Sequence, residues 1–252
     1  MIGGFGAEAD VRNRRGCVKR KSAKKSWAGR SFSISKKLNS DRFERSIFQP
    51  VKNSNVFTQS RPGAVIYDMK YQRELQNLIL NDAIRLRLLR LVAVLDLPDC
   101  WVGAGFIRNA VWDSIHGRSS RMHHGDIDVI WFDPLRIDKA IDHELESLLS
   151  KADDSVQWSV KNQGRMHIGN DDAPYSSATD AMRFWPETAT AVGIRVVDGH
   201  IIEIAAPYGL DDLYQAIIRP TARFLIDKKI IFEDRIRSKR WIEEWPHLQI
   251  HL

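Results

Sequence analysis

The sequence predicts an α+β domain that follows a basic segment without regular structure. Three observations lead to this prediction. Positive charge is concentrated in residues 1–62, apolar residues recur at helical spacing after Met69, and short apolar runs bounded by turn residues have the length of strands. The chain has 252 residues, of which 43% are hydrophobic, so it is long enough to bury a core in one or two domains.

Residues 1–62 differ from the rest of the chain in charge. They contain 15 Lys+Arg against 4 Asp+Glu, a net charge of +11, whereas the remaining residues contain 23 Lys+Arg against 28 Asp+Glu, a net charge of −5. The basic residues lie among Ser and Gly with no sustained helical or strand period, which is typical of a solvated segment. We therefore expect a disordered extension over residues 1–62.

Three functions fit this extension. Clustered Lys and Arg bind nucleic acid by releasing counterions from phosphates. A mitochondrial presequence also fits, because the first 40 residues are rich in Arg, Lys and Ser and contain only Glu8 and Asp10 as acids. The third interpretation is an extension without function, for instance from a start codon assigned too far upstream, with Met69 beginning the folded part.

The composition also restricts the cellular context. No run approaches 18 consecutive apolar residues, and the first 30 residues contain no apolar stretch of signal-peptide length, so we expect neither a membrane span nor secretion. Cys17 and Cys100 lie far apart and form no CxxC signature. We therefore expect a protein of a reducing compartment, the cytoplasm, with no membrane partner.

Helices and strands are both predicted after Met69. Pro98 ends the first helical pattern, Asp138 is suited to cap a helix, and Asp198-Gly199 between two β-branched runs favours a tight hairpin turn. The predicted elements are one long or two short helices within 75–95, a strand and glycine turn over 100–105, a helix over 106–116, a strand over 126–132, a helix over 138–149, strands over 156–160 and 165–168, a short helix over 178–184, a hairpin over 191–205, and helices over 209–217 and 224–241.

The strongest chemical signal is the pair of carboxylates in Asp126-Ile-Asp128. Residues two apart on a strand share a face, so both acids project to one side while Ile127 and Val129 point into the core. Two neighbouring anions repel each other, and a hard cation such as Mg²⁺, held by carboxylates and substrate phosphates, would offset that repulsion. The alternative is a strand end that carries two solvated acids.

A glycine turn at Gly103-Ala-Gly105 opens the helix that precedes this strand. The free N–H groups and the dipole of a helix N-terminus favour an anion. Arg108 and Asn109 follow on the first turn and are candidates for contacting a triphosphate. The alternative is a strand-to-helix turn that needs small residues for packing alone.

A third carboxylate would complete a two-metal site for phosphoryl transfer. Glu203 is the candidate, because it is an acid within the apolar strand 201–204 and a hairpin could lay that strand beside the one that bears Asp126 and Asp128. The alternative places Glu203 in solvent on an edge strand. Asp180 and Glu187 are lesser candidates for the same pocket.

These residues resemble those of the small bacterial nucleotidyltransferase-family proteins, which belong to the polymerase-beta-like nucleotidyltransferase superfamily. The similarity covers roughly Met69 to Trp245, and it implies a nucleotidyltransferase domain over 69–245 with a short mixed sheet flanked by helices. The segments that carry it are Gly103-Ala-Gly105 with Arg108-Asn109 and Val111-Trp112, Asp126-Ile-Asp-Val129 with Phe132-Asp133, Val160-Lys-Asn-Gln-Gly-Arg-Met-His167, Ala178-Thr-Asp-Ala181, Trp185-Pro-Glu-Thr-Ala-Thr190 and Ala206-Pro-Tyr-Gly-Leu-Asp-Asp-Leu213.

The resemblance also implies an activity. It implies transfer of a nucleoside monophosphate from an NTP to an acceptor that the sequence does not identify, with release of pyrophosphate. Carried over to this chain, Asp126 and Asp128 become ligands of Mg²⁺ or Mn²⁺, and Glu203 becomes the third acid. One departure concerns the glycine turn, where the superfamily usually has Gly-Ser and this chain has Gly103-Ala104, so triphosphate binding must use the backbone, Arg108 or other donors.

Other residues and other functions stay open at this stage. Asn162, Arg165 and His167 could contact the acceptor or the base, although a polar strand face is the more frequent explanation for such residues. A noncatalytic nucleotide sensor of the same fold is the main alternative function, and a nucleic-acid-binding protein led by the basic extension is another. A sugar-nucleotide glycosyltransferase also uses Asp-x-Asp, but a large nucleotide-binding half would precede that motif. Here only the stretch from Trp101 to Gly125 separates the first predicted strand from Asp126, which disfavours this function.

Overall fold

The computed structural model describes residues 69–119, 122 and 125–252. The predicted basic extension over 1–62 lies outside these residues. Five strands form the central sheet, namely β1 (Trp101–Gly103), β2 (Asp126–Trp131), β3 (Gln157–Asn162), β4 (Gly193–Val197) and β5 (Ile201–Ala205).

The sheet is mixed, and its spatial order is β3-β2-β1-β4-β5. β2 and β3 run parallel, whereas β1 pairs antiparallel with both β2 and β4, and β4 pairs antiparallel with β5. The predicted hairpin is confirmed: Asp198 and Gly199 both have positive φ, 51° and 75°, as the tight turn between β4 and β5 requires. The α+β class and the mixed sheet flanked by helices are likewise confirmed.

Ten helices accompany the sheet in the described part of the chain. They are α1 (Met69–Leu80), α2 (Ala83–Ala93), α3 (Gly105–Ile115), α4 (Lys139–Ala152), α5 (Met166–Asn170), α6 (Ala178–Met182), α7 (Asp211–Tyr214), α8 (Ala222–Leu225), α9 (Lys229–Lys239) and α10 (Trp241–Glu244). None of these helices is long and apolar enough to cross a membrane.

Local sequence explains where the larger helices begin. Asp82 caps α2 by accepting a hydrogen bond from the N–H of Arg85, which divides the first helical pattern into two helices. Asp138 caps α4 as predicted, with its carboxylate accepting from the N–H of Ala140. α4 then forms the crossover that two parallel strands need, here β2 and β3.

The main core lies between one face of the sheet and α1 to α4. Ile127, Val129 and Ile194 face these helices and are at most 3% exposed. A smaller apolar cluster on the opposite face contains Trp101, Ile130 and neighbouring side chains. The side chains of Asp126 and Asp128 share this second face, because they alternate with Ile127 and Val129 along β2.

One predicted strand, over 165–168, is wrong. The chain forms a short 3₁₀ turn at Gln163–Arg165 and then α5. The side chain of Asn162 accepts a hydrogen bond from the N–H of Gly164, which starts this turn directly after β3. A side-chain cap of this kind satisfies the backbone locally, and it replaces the hydrogen bonds that a further strand would need.

The two predicted C-terminal helices are shorter than expected. The pattern over 209–217 contains only α7, and Ile217–Ile218 forms strand β6, which pairs in parallel with β7 (Gln249–Ile250). The pattern over 224–241 is divided among α8, α9 and α10. Arg240, which separates α9 from α10, has φ of 51°, so the helix direction changes there.

Candidate active site

The two carboxylates of Asp126-Ile-Asp128 lie on one face at the start of β2. Asp126 is exposed and Asp128 is half-buried, whereas Ile127 and Val129 are buried in the core. This alternation follows from the strand, in which successive side chains point to opposite faces. Both acids therefore project from the sheet on the same side.

Both acids line a cleft of about 310 Å³. Its walls come from the start of β2, the first turns of α3, and the C-terminal half of α9. The charged side chains among its lining residues are four basic and two acidic. The lining residues are Arg85, Ala104, Gly105, Phe106, Arg108, Asn109, Met122, Gly125, Asp126, Ile127, Asp128, Arg235 and Lys239.

The turn between β1 and α3 brings a helix N-terminus to this cleft. Ala104 is the N-cap of α3 and has φ of 54°, a conformation that residues other than glycine rarely adopt. Strained backbone of this kind is concentrated at functional sites. Ala104 and Gly105 both line the cleft, and the first N–H groups of a helix have no partner within it, so they favour an anion here.

Gly103 has a different place in the structure from Gly105. A Cβ atom at residue 103 would lie 2.9 Å from the ring of Trp185 and 3.1 Å from the carbonyl oxygen of Val192. Packing against these neighbours therefore requires glycine at this position, and Gly103 does not line the cleft. The structure brings Gly105, Arg108 and Asn109 to the cleft.

The electrostatics of the acid pair are unfavourable without a cation. Burial, and then the charge of Asp126, raise the pKa of Asp128 from 3.8 to about 6, although Arg108 and other nearby cations oppose this rise. Among residues 69–119, 122 and 125–252, no hydrogen-bond donor reaches either carboxylate. The half-buried charge of Asp128 is thus only partly compensated.

The pair fits a divalent cation by the chemistry of its donors. Mg²⁺ prefers oxygen ligands and is commonly held by one or two carboxylates together with substrate phosphates. A cation between Asp126 and Asp128 would also offset the repulsion that raises the pKa of Asp128. Within the described chain, no group of three or more His, Cys, Asp or Glu side chains forms a complete metal site. The protein would therefore contribute two carboxylates, and other ligands would come from substrate or water.

Arg108 is buried beside the acids, with 6% of its surface exposed. Its guanidinium carbon lies 5.0 Å from the ring centroid of Trp112 and 4.3 Å from that of Trp241. Its Nη1 donates to Oγ1 of Thr190 at 2.9 Å, and its Nε and Nη2 donate to Oδ1 of Asn109 at 3.2 and 2.9 Å. Burial lowers the pKa of Arg108 to about 10. Every nitrogen of this guanidinium already has a partner inside the protein.

Two further cations reach the cleft from α9. Arg235 and Lys239 are four residues apart and so share one face of the helix. The Nε of Arg235 donates to Oε1 of Glu187 at 2.6 Å, and its guanidinium carbon lies 5.2 Å from the ring centroid of Trp241. Glu187 is 1% exposed, and no hydrogen-bond partner of its Oε2 is found in the described residues.

The structure does not bring Glu203 to the acid pair. The expected adjacency of its strand to β2 is wrong, because β1 and β4 lie between β2 and β5 in the sheet. Glu203 is opposite Arg195 on β4, and its Oε2 accepts from Nε of that residue at 2.7 Å. Neighbouring strands are about 4.8 Å apart, so three strand spacings separate Glu203 from β2.

The three predicted substrate contacts also lie away from this cleft, at the opposite end of β2 and β3. Asn162 pairs in register with Trp131, and its side chain donates to two backbone carbonyl groups. Arg165 forms an ion pair with the buried Asp142. His167 lies on α5 with its ring 5.9 Å from that of Tyr175.

Arg235 and Lys239 of the cleft lining were not found from the sequence, and neither was the part played by Trp241, whose ring packs against the guanidinium of Arg235. The sequence contains one indication of their role. Arg235 and Lys239 are four residues apart, so they share a helix face, and Trp241 follows Lys239 by two residues. Basic helix faces of this kind are usually solvated, and about 110 residues of sequence separate them from Asp126. Only the folded chain brings them together.

This chain is similar in sequence and in fold to known proteins. The sequence profile of a family described as Nucleotidyltransferase matches residues 90–250. A solved structure described as a CCA-adding enzyme head domain is 34% identical, with a TM-score of 0.65, and the match covers 73% of this chain and 98% of that chain. A CCA-adding enzyme in complex with CTP aligns with 14% identity and a TM-score of 0.45, over 71% of this chain and 43% of that chain. The comparison with curated proteins found no match.

Proposed function

Since this chain belongs to the nucleotidyltransferase family, we propose that it uses a divalent metal ion to transfer a nucleoside monophosphate from an NTP to an acceptor. Family membership and the likeness to a solved head domain support nucleotidyl transfer as the class of reaction and make the protein a transferase. The use of a metal ion, of an NTP and of an acceptor goes beyond this reaction class and belongs to our proposal.

One observation carries the proposal. Two acids that repel each other, Asp126 and Asp128, share a cleft with a helix N-terminus and with the basic side chains of α3 and α9. Acids of this kind suit a metal ion, and the helix N-terminus and the cations suit phosphates. A nucleoside triphosphate with its divalent ion combines both chemistries, and the cleft offers about 310 Å³ to hold it.

The residues of the cleft would act mainly by position and charge. Asp126 and Asp128 would hold Mg²⁺ or Mn²⁺, which when bound supplies Lewis-acid stabilisation of the developing negative charge. The N–H groups at the start of α3, beside Gly105, would orient the phosphates for in-line attack. In that step the acceptor oxygen bonds to the α-phosphorus, the bond from the α-phosphorus to the bridging oxygen breaks, pyrophosphate leaves with the electron pair, and the acceptor proton passes to solvent.

The proposal requires only the two acids of β2 from this chain. Glu203 faces Arg195 far from β2, and no third carboxylate of the described residues lines the cleft. This is also the observation that favours the second candidate function, a noncatalytic nucleotide sensor, because a site with two acids and Ala104 in the glycine turn could bind an NTP without transferring it.

The acceptor stays open, and the test must therefore offer several. The similar head domain is described as that of a CCA-adding enzyme, so RNA 3′ ends belong in the screen beside small hydroxyl compounds and proteins. Nucleic acid is also the partner that the basic extension over 1–62 would bind. We further propose that the protein acts in the cytoplasm.

The deciding experiment supplies each of the four NTPs, labelled at the α-phosphate, with Mg²⁺ or Mn²⁺ and each acceptor class. We expect metal-dependent transfer of label and release of pyrophosphate with the wild-type chain, and none with Asp128→Asn. NTP binding without pyrophosphate release would support the sensor. A wild-type chain that neither binds nor transfers any NTP would contradict both.

A further inference from the structure

The proposed function assigns the acids and the helix N-terminus of the cleft, but it leaves the basic side chains of α9 without a role. Among the described residues, four basic side chains line the cleft, and two of them form ion pairs with carboxylates that do not line it. Arg85 pairs with Asp82 at 2.6 Å, and Arg235 pairs with Glu187 at 2.6 Å. The described residues provide no ion pair for Lys239.

The formal charges around the cleft indicate which kind of ligand its basic side chains can bind. With Asp82 and Glu187 included, the described residues at the cleft provide four basic side chains and four carboxylates, so their formal charges cancel. A divalent ion on Asp126 and Asp128 would leave an excess of two positive charges. A polyphosphate chain, which carries several negative charges, is the ligand that this excess favours.

The cations differ in how many donors they can offer to such a ligand. Each of the three guanidinium nitrogens of Arg108 already donates to Thr190 or Asn109, which uses three of its five N–H groups. Arg235 uses its Nε for Glu187, whereas no hydrogen bond from either of its Nη atoms is present in the described residues. An arginine held by Nε keeps the two Nη groups for a phosphate, which is the geometry that Arg prefers for such anions.

The position of Arg235 is fixed from two sides. Glu187 is almost fully buried and binds Nε, and Trp241 packs against the guanidinium at 5.2 Å. The same indole ring packs against Arg108 at 4.3 Å, so Trp241 lies between cations of α3 and α9. Cation–π contacts of this kind hold a guanidinium without using its N–H donors.

We infer that α9 supplies the polyphosphate contacts of this cleft. Arg235 and Lys239 bind the outer phosphates of the nucleotide, and Glu187 and Trp241 act as positioning residues that orient Arg235. This inference rests on the proposed function, because it takes the nucleotide ligand from that proposal. It also gives the chain donors that Ala104 cannot provide from its side chain in the glycine turn.

Calorimetric titration of the full chain with each Mg²⁺–NTP tests the inference. We expect Arg235→Met and Lys239→Met each to weaken NTP binding by about 10- to 100-fold, as the loss of a charge-assisted hydrogen bond does. Binding of the nucleoside monophosphate should change less than twofold. Lys239 is exposed on α9, so its substitution does not endanger folding.

The matched control is Arg237→Met on the same helix. Arg237 is exposed, pairs with Asp234 and does not line the cleft, so NTP binding should stay within twofold of wild type. Equal NTP affinity of the wild type, Arg235→Met and Lys239→Met would overturn the inference while leaving the proposed function intact.

A double-mutant cycle tests the positioning role. Glu187→Gln should weaken NTP binding in the wild-type background but should have no further effect in the Arg235→Met background. Additive effects would show that Glu187 acts on the fold and not through Arg235. Binding of inorganic tripolyphosphate separates the inference from the proposed function, which fails if no NTP binds. In that case, tripolyphosphate binding that is lost in Arg235→Met would still support a polyphosphate site on α9. Equal tripolyphosphate binding by the wild type and Arg235→Met would refute that site.

Discussion

A carboxylate lies near each end of β2 in a setting that contains Trp and Arg side chains, Asp128 on the strand itself and Asp142 on α4, yet the two settings are opposite in kind. Near the C-terminal end of β2, the carboxylate of Asp142 is 1% exposed and accepts hydrogen bonds from Nε1 of Trp131 at 2.9 Å and from the N–H of Asn162. It also forms an ion pair with Arg165. At the N-terminal end, Asp128 lies beside a second acid, and no donor in the described residues reaches it.

This difference separates a structural carboxylate from one that is available to a ligand. A buried acid with all its acceptor sites occupied stabilises the native state, whereas a half-buried acid beside a like charge costs stability until a cation arrives. The comparison predicts that equivalent Asp→Asn substitutions at the two ends have opposite consequences for stability and activity.

The largest effect is expected for the activity of Asp128→Asn. Loss of one of two metal-binding carboxylates should lower turnover by about 1000-fold or more, equivalent to about 4 kcal/mol of activation free energy. The measurement is pyrophosphate release at saturating NTP and metal. Asp227→Asn removes an exposed carboxylate outside the cleft and serves as the control. Turnover of Asp128→Asn at the level of this control would remove the acid pair from the reaction.

The next largest effect concerns the stability of Asp142→Asn. This change leaves the nearly buried Arg165 without its carboxylate, and breaking a buried ion pair costs about 3–5 kcal/mol of the free energy of unfolding. Urea denaturation measures this loss. The folded fraction of the variant should retain NTP binding, since Asp142 is remote from the cleft. A decrease in the free energy of unfolding of less than about 1 kcal/mol would show that Asp142 does not have this structural role.

Asp128→Asn should have the reverse effect on the stability of the metal-free protein. Its pKa of about 6 in the folded chain, against 3.8 for the ordinary carboxyl group, means that the charged form is disfavoured by folding. Removing this charge should raise the free energy of unfolding by about 1–3 kcal/mol at pH 7 in the presence of a chelator. A destabilised variant would instead assign Asp128 a structural role.

The same pKa shift predicts a pH dependence. Because the pKa of Asp128 is raised on folding, its contribution to stability is fully present below pH 4 and is lost as the pH rises through about 6. The stability difference between Asp128→Asn and the wild type should therefore grow between pH 4 and pH 6 and then level off. A difference that is constant over this range would argue against the raised pKa.

The smallest effect is expected for Glu203→Gln. Its ion pair with Arg195 is partly exposed, with about two-fifths of each side chain accessible, so the loss of stability should be below about 1 kcal/mol. Turnover should change less than threefold, because β1 and β4 separate β5 from the acid pair. A loss of turnover comparable to that of Asp128→Asn would restore Glu203 as the third acid.

Local patterns predicted most elements of this fold, with errors over 165–168, 209–217 and 224–241, and they failed to predict which distant segments meet. The hairpin at Asp198-Gly199 and the capped helix after Asp138 depend on neighbouring residues, and both are confirmed. The pairing of β5 with β4 but not with β2 depends on the order of the whole sheet, which no single strand encodes. The expected position of Glu203 was wrong for that reason.

The residues of the cleft also differ in whether the sequence could predict them. The alternation that puts Asp126 and Asp128 on one face is a property of a single strand. The contacts of Arg235 and Trp241 with residues of α3 and with Glu187 join segments that are distant in sequence, and they could not be read from the spacing of residues.

Binding of Mn²⁺ in the presence of a nonhydrolysable NTP analogue tests the central claim, that the acid pair of β2 holds a cation for nucleotide chemistry. Calorimetric titration should show metal binding that strengthens when the analogue is present and that is lost in Asp128→Asn but not in Asp142→Asn. Equal metal affinity of the wild type and Asp128→Asn, with or without the analogue, would contradict the account.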